Sequence, residues 1–335
     1  MTKYIKRSDV FAVMLVTLGL SAILSSAGCS RNDTLEPNCR TCYEFTSRII
    51  QSPTSQELLD VDFVDQNNGW AVGREGIIVH TSDSGENWSV QDSGAATILY
   101  GLHFMSPDTG WVVGTSGKVL RTFNGGAAWL DTVISERVFT DVFFLDRCRG
   151  WVVGDSVIIS TTDGGRNWRT YDAHTGPVPL LYSMAFADEN HGWAVGFEGA
   201  ILYTENGGGS WFPQSGGGNP LLDVSFVDQN NGWTVGVGGM ILHTADGGES
   251  WTQQHPSTDK VLHGVAFHDL NNGVVVGDSG RIFTTINGGE SWEEQASGIA
   301  NTLRKVSYAN LNTFYVAGDS GVIIRVIRTE KECCE

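Results

Sequence analysis

Gly73 closes a Gly-Trp-x-Val-Gly element, and equivalent glycines follow as Gly114, Gly154, Gly196, Gly236, Gly277 and Gly318, at separations of 41, 40, 42, 40, 41 and 41 residues. A period of this length, repeated seven times, leaves few folds open. Each unit is too short to bury a core alone and must stack on its neighbours, and a closed radial array lets every unit do so. The first unit divides into four short strand candidates. Leu59 to Val64 alternates apolar with polar or small residues, and Asp65-Gln66-Asn67-Asn68-Gly69 turns the chain. Trp70 to Gly73 forms the second strand, Arg74-Glu75-Gly76 the next turn, and Ile77 to Thr81 the third strand. Ser82 to Asn87 turns again into Trp88 to Asp92. Four strands in about 41 residues make one propeller blade. The expected fold is therefore all-β, a seven-bladed β-propeller over residues 45–330 as one large domain. Its 42 glycines and its low charged fraction, 18%, suit short strands joined by tight turns. Trp70, Trp111, Trp151, Trp193 and Trp233 are expected to pack between blades.

The last repeat, Leu303 to Arg328, supplies only three strands, and the missing one is legible near the other end of the chain. Gln91, Gln214, Gln254 and Gln295 each lie eight residues before the leucine that opens the next blade, and Gln51 lies eight residues before Leu59. Arg48 to Ser52 thus occupies the register of a fourth strand and is expected to complete blade seven beside Val322 to Ile327. Such a clasp removes the open sheet edges that would otherwise expose unpaired backbone.

At the N-terminus, Lys3, Lys6 and Arg7 precede an apolar run from Val10 to Ala27, the pattern of a secretory signal over residues 1–28. The segment ends Leu24-Ser25-Ser26-Ala27-Gly28-Cys29, which resembles a bacterial lipobox, with Ser26 where leucine is usual. The resemblance implies lipidation of Cys29 and a membrane-anchored protein of the cell envelope, periplasmic or surface-exposed. An ordinarily cleaved signal or an uncleaved anchor helix would also carry the body out of the cytoplasm. Residues 29–44 then form a tether.

Loss of residues 1–28 removes three basic residues and one acidic one, which takes the formal charge from −17 to −17 − 2 = −19. A surface of that sign disfavours nucleic acid and bare anionic lipid.

The tether contains Cys39 and Cys42, and the tail, residues 331–335, contains Cys333 and Cys334. Both pairs lie where a turn joins the third and fourth strands in other blades, so one or two disulfides are expected between them in an oxidising compartment. A metal site or a redox motif are the competing uses of these cysteines, whereas Tyr43 after Cys42 excludes haem attachment. Cys148 is expected to be a lone thiol.

Apparent catalytic motifs dissolve on alignment. Gly277-Asp278-Ser279-Gly280 and Gly318-Asp319-Ser320-Gly321 look like a trypsin-type nucleophile segment, but the same positions read Gly73-Arg74-Glu75-Gly76 and Gly196-Phe197-Glu198-Gly199 in other blades. They are the turn between the second and third strands. The histidines show no metal-ligand spacing, and neither a metal nor any other cofactor is expected.

The most specific motif joins the third and fourth strands: Thr-x-(Asp/Asn)-x-Gly-x-x-Trp, from Thr81 to Trp88 and again ending at Trp129, Trp168, Trp211, Trp251 and Trp292. It is similar to the Asp-box, or BNR repeat, of sialidases and related propellers. Asp83, Asn124, Asp163, Asn206, Asp246 and Asn287 would accept from the backbone N–H groups that follow, a structural role. Sialidase chemistry needs three clustered arginines, a tyrosine nucleophile and carboxylates, and the repeat supplies no such set.

The whole repeat, Leu-x-x-Val-x-Phe-x-Asp-x-x-x-Gly-Trp-x-Val-Gly-x-x-Gly-x-Ile-x-x-Thr-x-Asp-Gly-Gly-x-x-Trp, is well seen in Leu222 to Trp251 and resembles the photosystem II stability and assembly factor family over residues 45 to 328. The resemblance implies a propeller without catalysis that holds protein partners during assembly. The resulting expectation is a monomeric, lipid-anchored binding or assembly scaffold, with a sialidase-like glycoside hydrolase or a glycan-binding module as the alternative. Its expected contact face carries Arg74, Glu75, Phe197, Glu198, Asp278 and Asp319, near the axis.

Overall fold

Each repeat folds into one four-stranded sheet whose strands pair in sequence order, as in blade 1: Leu58–Phe63, Gly69–Gly73, Ile78–Thr81 and Ser89–Gln91. The computed structural model describes residues 39–171 and 178–334, and places Thr41–Lys331 in one compact unit. Blades 2 to 6 occupy residues 99–133, 139–170, 181–215, 221–254 and 262–295. Blade 7 consists of Leu303–Asn310, Thr313–Gly318 and Ile323–Cys334, completed by Cys39–Ile50 as its outermost strand. The expected signal segment and Cys29 lie outside the described residues, as do the side chains of Cys39, Cys333 and Cys334.

The core lies between blades. In blades 1 to 5 the second strand, of the form Gly-Trp-x-Val-Gly, is buried at every position. Its tryptophan stacks on the phenylalanine that ends the first strand of the next blade: Trp70 on Phe104 at 3.7 Å, Trp111 on Phe144 at 3.5 Å, Trp193 on Phe226 at 3.5 Å. The same phenylalanine receives its own blade's Asp-box tryptophan edge-on, as Phe104 receives Trp129 at 6.1 Å and 89°. Each of these five junctions is therefore a three-ring sandwich, worth about 0.5–1.5 kcal/mol per ring pair beyond area burial. Glycine precedes the tryptophan because the phenylalanine ring of the same blade lies on it. A Cβ at Gly69 would sit 2.4 Å from the Phe63 ring.

The Asp-box is the other half of the junction. Trp70, Trp111, Trp193 and Trp233 donate their indole N–H to the first Asp-box glycine of the next blade, at 3.0–3.3 Å. Gln91, Gln214 and Gln254, from the outermost strands, donate to the same carbonyls as their blade's tryptophan. Inside the turn, the Asn206 carboxamide oxygen accepts from Ser210 N at 2.8 Å, as the sequence implied. The threonine that opens the motif does as much: buried Thr204 Oγ1 accepts from Gly208 N at 2.9 Å and donates to Asn206 Oδ1 at 3.0 Å. Thr204→Val keeps the shape but strands both partners. It is expected to cost about 1–3 kcal/mol in urea unfolding, and a loss near zero would remove the hydroxyl from this account.

The clasp forms, and its strand runs from Cys39 to Ile50, beginning well before the Arg48 to Ser52 segment expected and ending ahead of Gln51. Ile50 is buried in one cluster with Ile323, Tyr315 and Phe63, while Phe45 packs against the cluster of Ile324 and Val326. Arg48 and Arg325 both reach Glu86 of blade 1, at 2.9 and 2.6 Å. Thr329 Oγ1 donates to the Glu44 carbonyl, and Lys331 pairs with the Glu44 carboxylate. These contacts show the two strands running in opposite directions. The outer half of the strand was hidden because its alternation of half-buried Phe45 and Ser47 with exposed Thr46 and Arg48 is too polar to register as apolar periodicity. Tyr315 replaces the tryptophan of blades 1 to 5: it stacks on Phe63 at 3.9 Å, and its hydroxyl donates to the Ser84 carbonyl at 2.5 Å. The sealed junction thus copies the geometry of the others with different residues.

Candidate functional site

The first strand of every blade contributes at least one residue to a cavity of ≈ 470 Å³ on the propeller axis: Leu59, Tyr100, Thr140, Tyr182, Leu222, His263 and Arg304. These residues are the positions that the strand pairing skips, as Leu59 is skipped between Leu58 and Asp60, and this bulge lets two consecutive side chains face the axis. The second of the two is Asp60, Gly101, Asp141, Ser183, Asp223, Gly264 or Lys305 in turn. Blades 1, 3 and 5 thus bring a carboxylate, blades 2, 4 and 6 a small residue, and blade 7 the lysine. Asp60, Asp141 and Lys305 also line a second cavity of ≈ 230 Å³, where Asp223 joins them, so these residues form the partition between two compartments of the axial channel.

Each carboxylate ties its blade to the next. Asp60 accepts from Val61 N at 2.8 Å and from Leu102 N at 2.9 Å; Asp141 accepts from Val142 N and Met184 N, both at 2.8 Å; Asp223 accepts from Val265 N at 2.8 Å. The ammonium of Lys305 meets Asp223 at 2.6 Å. Ser183 Oγ lies 3.0 Å from Asp141 and 2.8 Å from Asp223, yet one hydroxyl proton serves only one carboxylate at a time. Burial pushes the Asp60 carboxyl well above the usual carboxylate range and raises Asp141 as well, while the Lys305 charge pulls both back down. Burial works against the Lys305 charge too. The attraction of Asp223, Asp60 and Asp141 outweighs it and raises the lysine above its ordinary value. Three carboxylates therefore share one cation in a site largely removed from water.

Of the residues the sequence proposed for this face, Asp278 and Asp319 brace the rim. Asp278 meets His263 at 2.9 Å and accepts from Thr302 Oγ1 at 3.1 Å, and Asp319 grips Arg304 through two contacts at 2.7 and 3.1 Å. Burial lowers the His263 pKa, against the pull of Asp278. The other four do not line the cavity. Arg74 is paired with Glu57, Glu75 accepts from Gln56 at 2.7 Å, and Phe197 and Glu198 are exposed on their turn. Glu75 and Glu198 hold left-handed backbone, φ 56° and 55°, which points to turn geometry at this position rather than to shared chemistry. Sequence reasoning missed the charged partition and the tyrosines above it. Their signal was present: a charge at a position that in every repeat directly precedes a buried apolar residue.

Among the described residues no cluster of His, Cys, Asp and Glu is arranged to hold a metal ion. Arg304 is the arginine among the residues lining the mouth, and Asp319 occupies it.

A sequence profile described as Photosynthesis system II assembly factor YCF48 matches residues 42–97, 87–170, 176–253 and 251–331, nearly all of the propeller. The chain belongs to the YCF48 family. Within the family, a 39-residue stretch, 12% of this chain, is 41% identical to the Photosystem II assembly protein Ycf48 of Thermosynechococcus vestitus and spans 11% of that protein. A solved structure titled YCF48 bound to D1 peptide superposes with a TM-score of 0.72 at 20% identity, over 84% of this chain and 94% of that one. The fold is not confined to the YCF48 family. A catalytically inactive virginiamycin B lyase from Staphylococcus aureus, solved with quinupristin, superposes equally well, TM-score 0.72 at 13% identity, over 85% of this chain and 99% of that one.

Proposed function

We propose that this member of the YCF48 family is a non-catalytic propeller, anchored to the cell envelope through Cys29, that binds a protein partner at the mouth of its axial channel. The observation that carries the reading is the mouth itself. Leu59, Leu222, Tyr100 and Tyr182 offer apolar and aromatic surface around a floor of fixed charge, the mix of anchoring surface and orienting polar groups found in recognition sites. The family description supports a role in assembly, and the relative solved with a D1 peptide supports a polypeptide as the kind of ligand. Against glycosidase chemistry stands the single arginine at the mouth, already paired, where three would be needed to hold a sugar carboxylate. The clasp, with Cys42 partnered, supports a disulfide between Cys42 or Cys39 and Cys333 or Cys334.

Photo-crosslinking in the native envelope tests the reading. A benzoylphenylalanine at Leu222, on the mouth, is expected to capture a discrete polypeptide. The same group at Val90, exposed on an outermost strand, is expected not to. Capture at neither site, or equally at both, would overturn the assignment. The mass of the same purified bait reads the lipid on Cys29 and the two protons lost for each disulfide.

A further inference from the structure

The floor of the mouth is short of positive charge. Asp60 and Asp141 face it, and the one ammonium there, that of Lys305, is already held at 2.6 Å by Asp223, which lines the second cavity. No cation of the rim can make up the difference, because Arg304 is gripped by Asp319 and His263 by Asp278, and Asp155 adds a further carboxylate to the lining. Asp60 also has acceptor capacity to spare. Each of its oxygens takes a single backbone N–H, from Val61 and from Leu102, where a carboxylate oxygen accommodates two donors. Above the carboxylates the walls change character to Leu59, Leu222, Tyr100 and Tyr182. A site acidic at the bottom and apolar on the way down fits a long aliphatic side chain that ends in a cation. The tyrosine faces add favourable ground for that cation as it passes. The cavity, ≈ 470 Å³, is within the range of sites that enclose small groups, and the formal charge of −17 draws cations toward the protein.

We propose that the channel mouth takes a lysine side chain of the partner polypeptide, its ammonium held by Asp60 and Asp141 and its stem by the apolar collar. The identity of the ligand as a polypeptide rests on the function proposed above; the cation site rests on the floor geometry alone. Lys305 balances one carboxylate, that of Asp223, and the incoming ammonium balances one more charge, shared between Asp60 and Asp141. The bound state is then a partition in which fixed and delivered cations alternate with acids.

The test is an NMR binding titration of the full-length chain with acetylated, amidated tripeptides Gly-Lys-Gly, Gly-norleucine-Gly and Gly-Glu-Gly. The lysine peptide is expected to bind at least about tenfold more tightly than the norleucine twin, with the preference falling as salt is raised, and the glutamate peptide is expected to be excluded. In an Asp60→Asn/Asp141→Asn variant the lysine preference should vanish. That variant leaves the Lys305–Asp223 pair intact; each carboxamide keeps one of the two oxygens that accept from backbone N–H groups, and tryptophan fluorescence checks that the variant is folded before it is titrated. Hexylamine, which needs no variant, should displace the lysine peptide where hexanol does not. Equal binding of the lysine and norleucine peptides overturns the proposal, as does a preference that survives in the double variant. Hexylamine binding without lysine-peptide binding overturns the side chain as the source of the cation. Partner capture at Leu222 with no lysine preference would sink this inference and leave the proposed function standing; lysine binding without capture would do the reverse.

Discussion

Replacing Lys305 with methionine is expected to cost about 3–5 kcal/mol of folding stability at neutral pH, the range for stripping one partner from a buried ion pair. Methionine fills a similar volume, so the loss measures charge. Asp223 loses its contact at 2.6 Å, and Asp60 and Asp141 lose the one nearby cation that draws their pKa values down. The pH dependence has a definite sign. The folded-state values of Asp60 and Asp141 are raised by burial, so as pH falls through them the folded chain takes up protons that the unfolded chain does not yet bind. Stability from these groups therefore rises on acidification and falls as pH returns to neutral. In the variant both values rise further, so its deficit should be largest near neutral pH and shrink at about pH 5. The exposed Asp-box carboxylates do not blur the comparison. Hydrogen bonds to Asn167 and Ser250 hold Asp163 and Asp246 at about 2, so these groups lose their contribution only at far lower pH. At the alkaline end, the Lys305 charge stabilises the wild type fully below about pH 10.5 and ceases to do so as pH passes its raised folded value, a loss the variant cannot show. Urea unfolding followed by tryptophan fluorescence at the three pH values reads all of this. A neutral-pH loss under about 1 kcal/mol, or one equal at every pH, would mean that the partition is solvated and the charges independent.

The same residues show what could be read from the sequence and what could not. Blade number, strand order and the clasp were legible because they depend on periodicity and on turn chemistry that is local: Thr204, Asn206 and Gly208 specify their turn within five residues. The junction rings were legible as packing, although not as a stack of Trp70 on Phe104, because the phenylalanine belongs to the following repeat. The axial partition left its signal only in the differences between repeats, where it was overlooked. Repeat alignment rewards positions that are alike, and the position holding Asp60, Gly101, Asp141, Ser183, Asp223, Gly264 and Lys305 is functional through its differences. A carboxylate, a glycine and a lysine look like drift until ring closure brings Lys305 against Asp223. Turn position misled for a related reason. Arg74 and Asp319 occupy equivalent sites, but Glu57 takes up the arginine, while Arg304 draws the aspartate to the rim.

Deleting residues 1–50 is expected to be the other large lesion, converting a closed ring into an open one. Ile50 alone, buried among Ile323, Tyr315 and Phe63, accounts for about 2–5 kcal/mol by analogy with large-to-small core substitutions. The deletion also removes a strand from the edge of Ile323–Cys334, leaving that strand's backbone groups without their ladder. It takes Arg48 from Glu86, one of the residues that hold blade 7 to blade 1, and leaves Arg325 as its partner there. Because every blade is stabilised by its neighbours, loss at one junction should not stay local. A repeat array of this kind melts as nearest-neighbour couplings fail, and the closed ring has no terminal cap to absorb an opening. The expected outcome is a chain that melts well below the wild type and self-associates through the exposed edge. A synthetic peptide of residues 42–52, added in trans, should restore part of the melting temperature in proportion to its concentration, since a ligand that binds only the folded state stabilises it by mass action. An Ile50→Asp peptide should not rescue. A truncated chain as stable and as monodisperse as the wild type would show that blade 7 closes without its borrowed strand. The sheet order, the shared cluster of Ile50 with Ile323 and the paired arginines on Glu86 would then be consequences of closure instead of its cause.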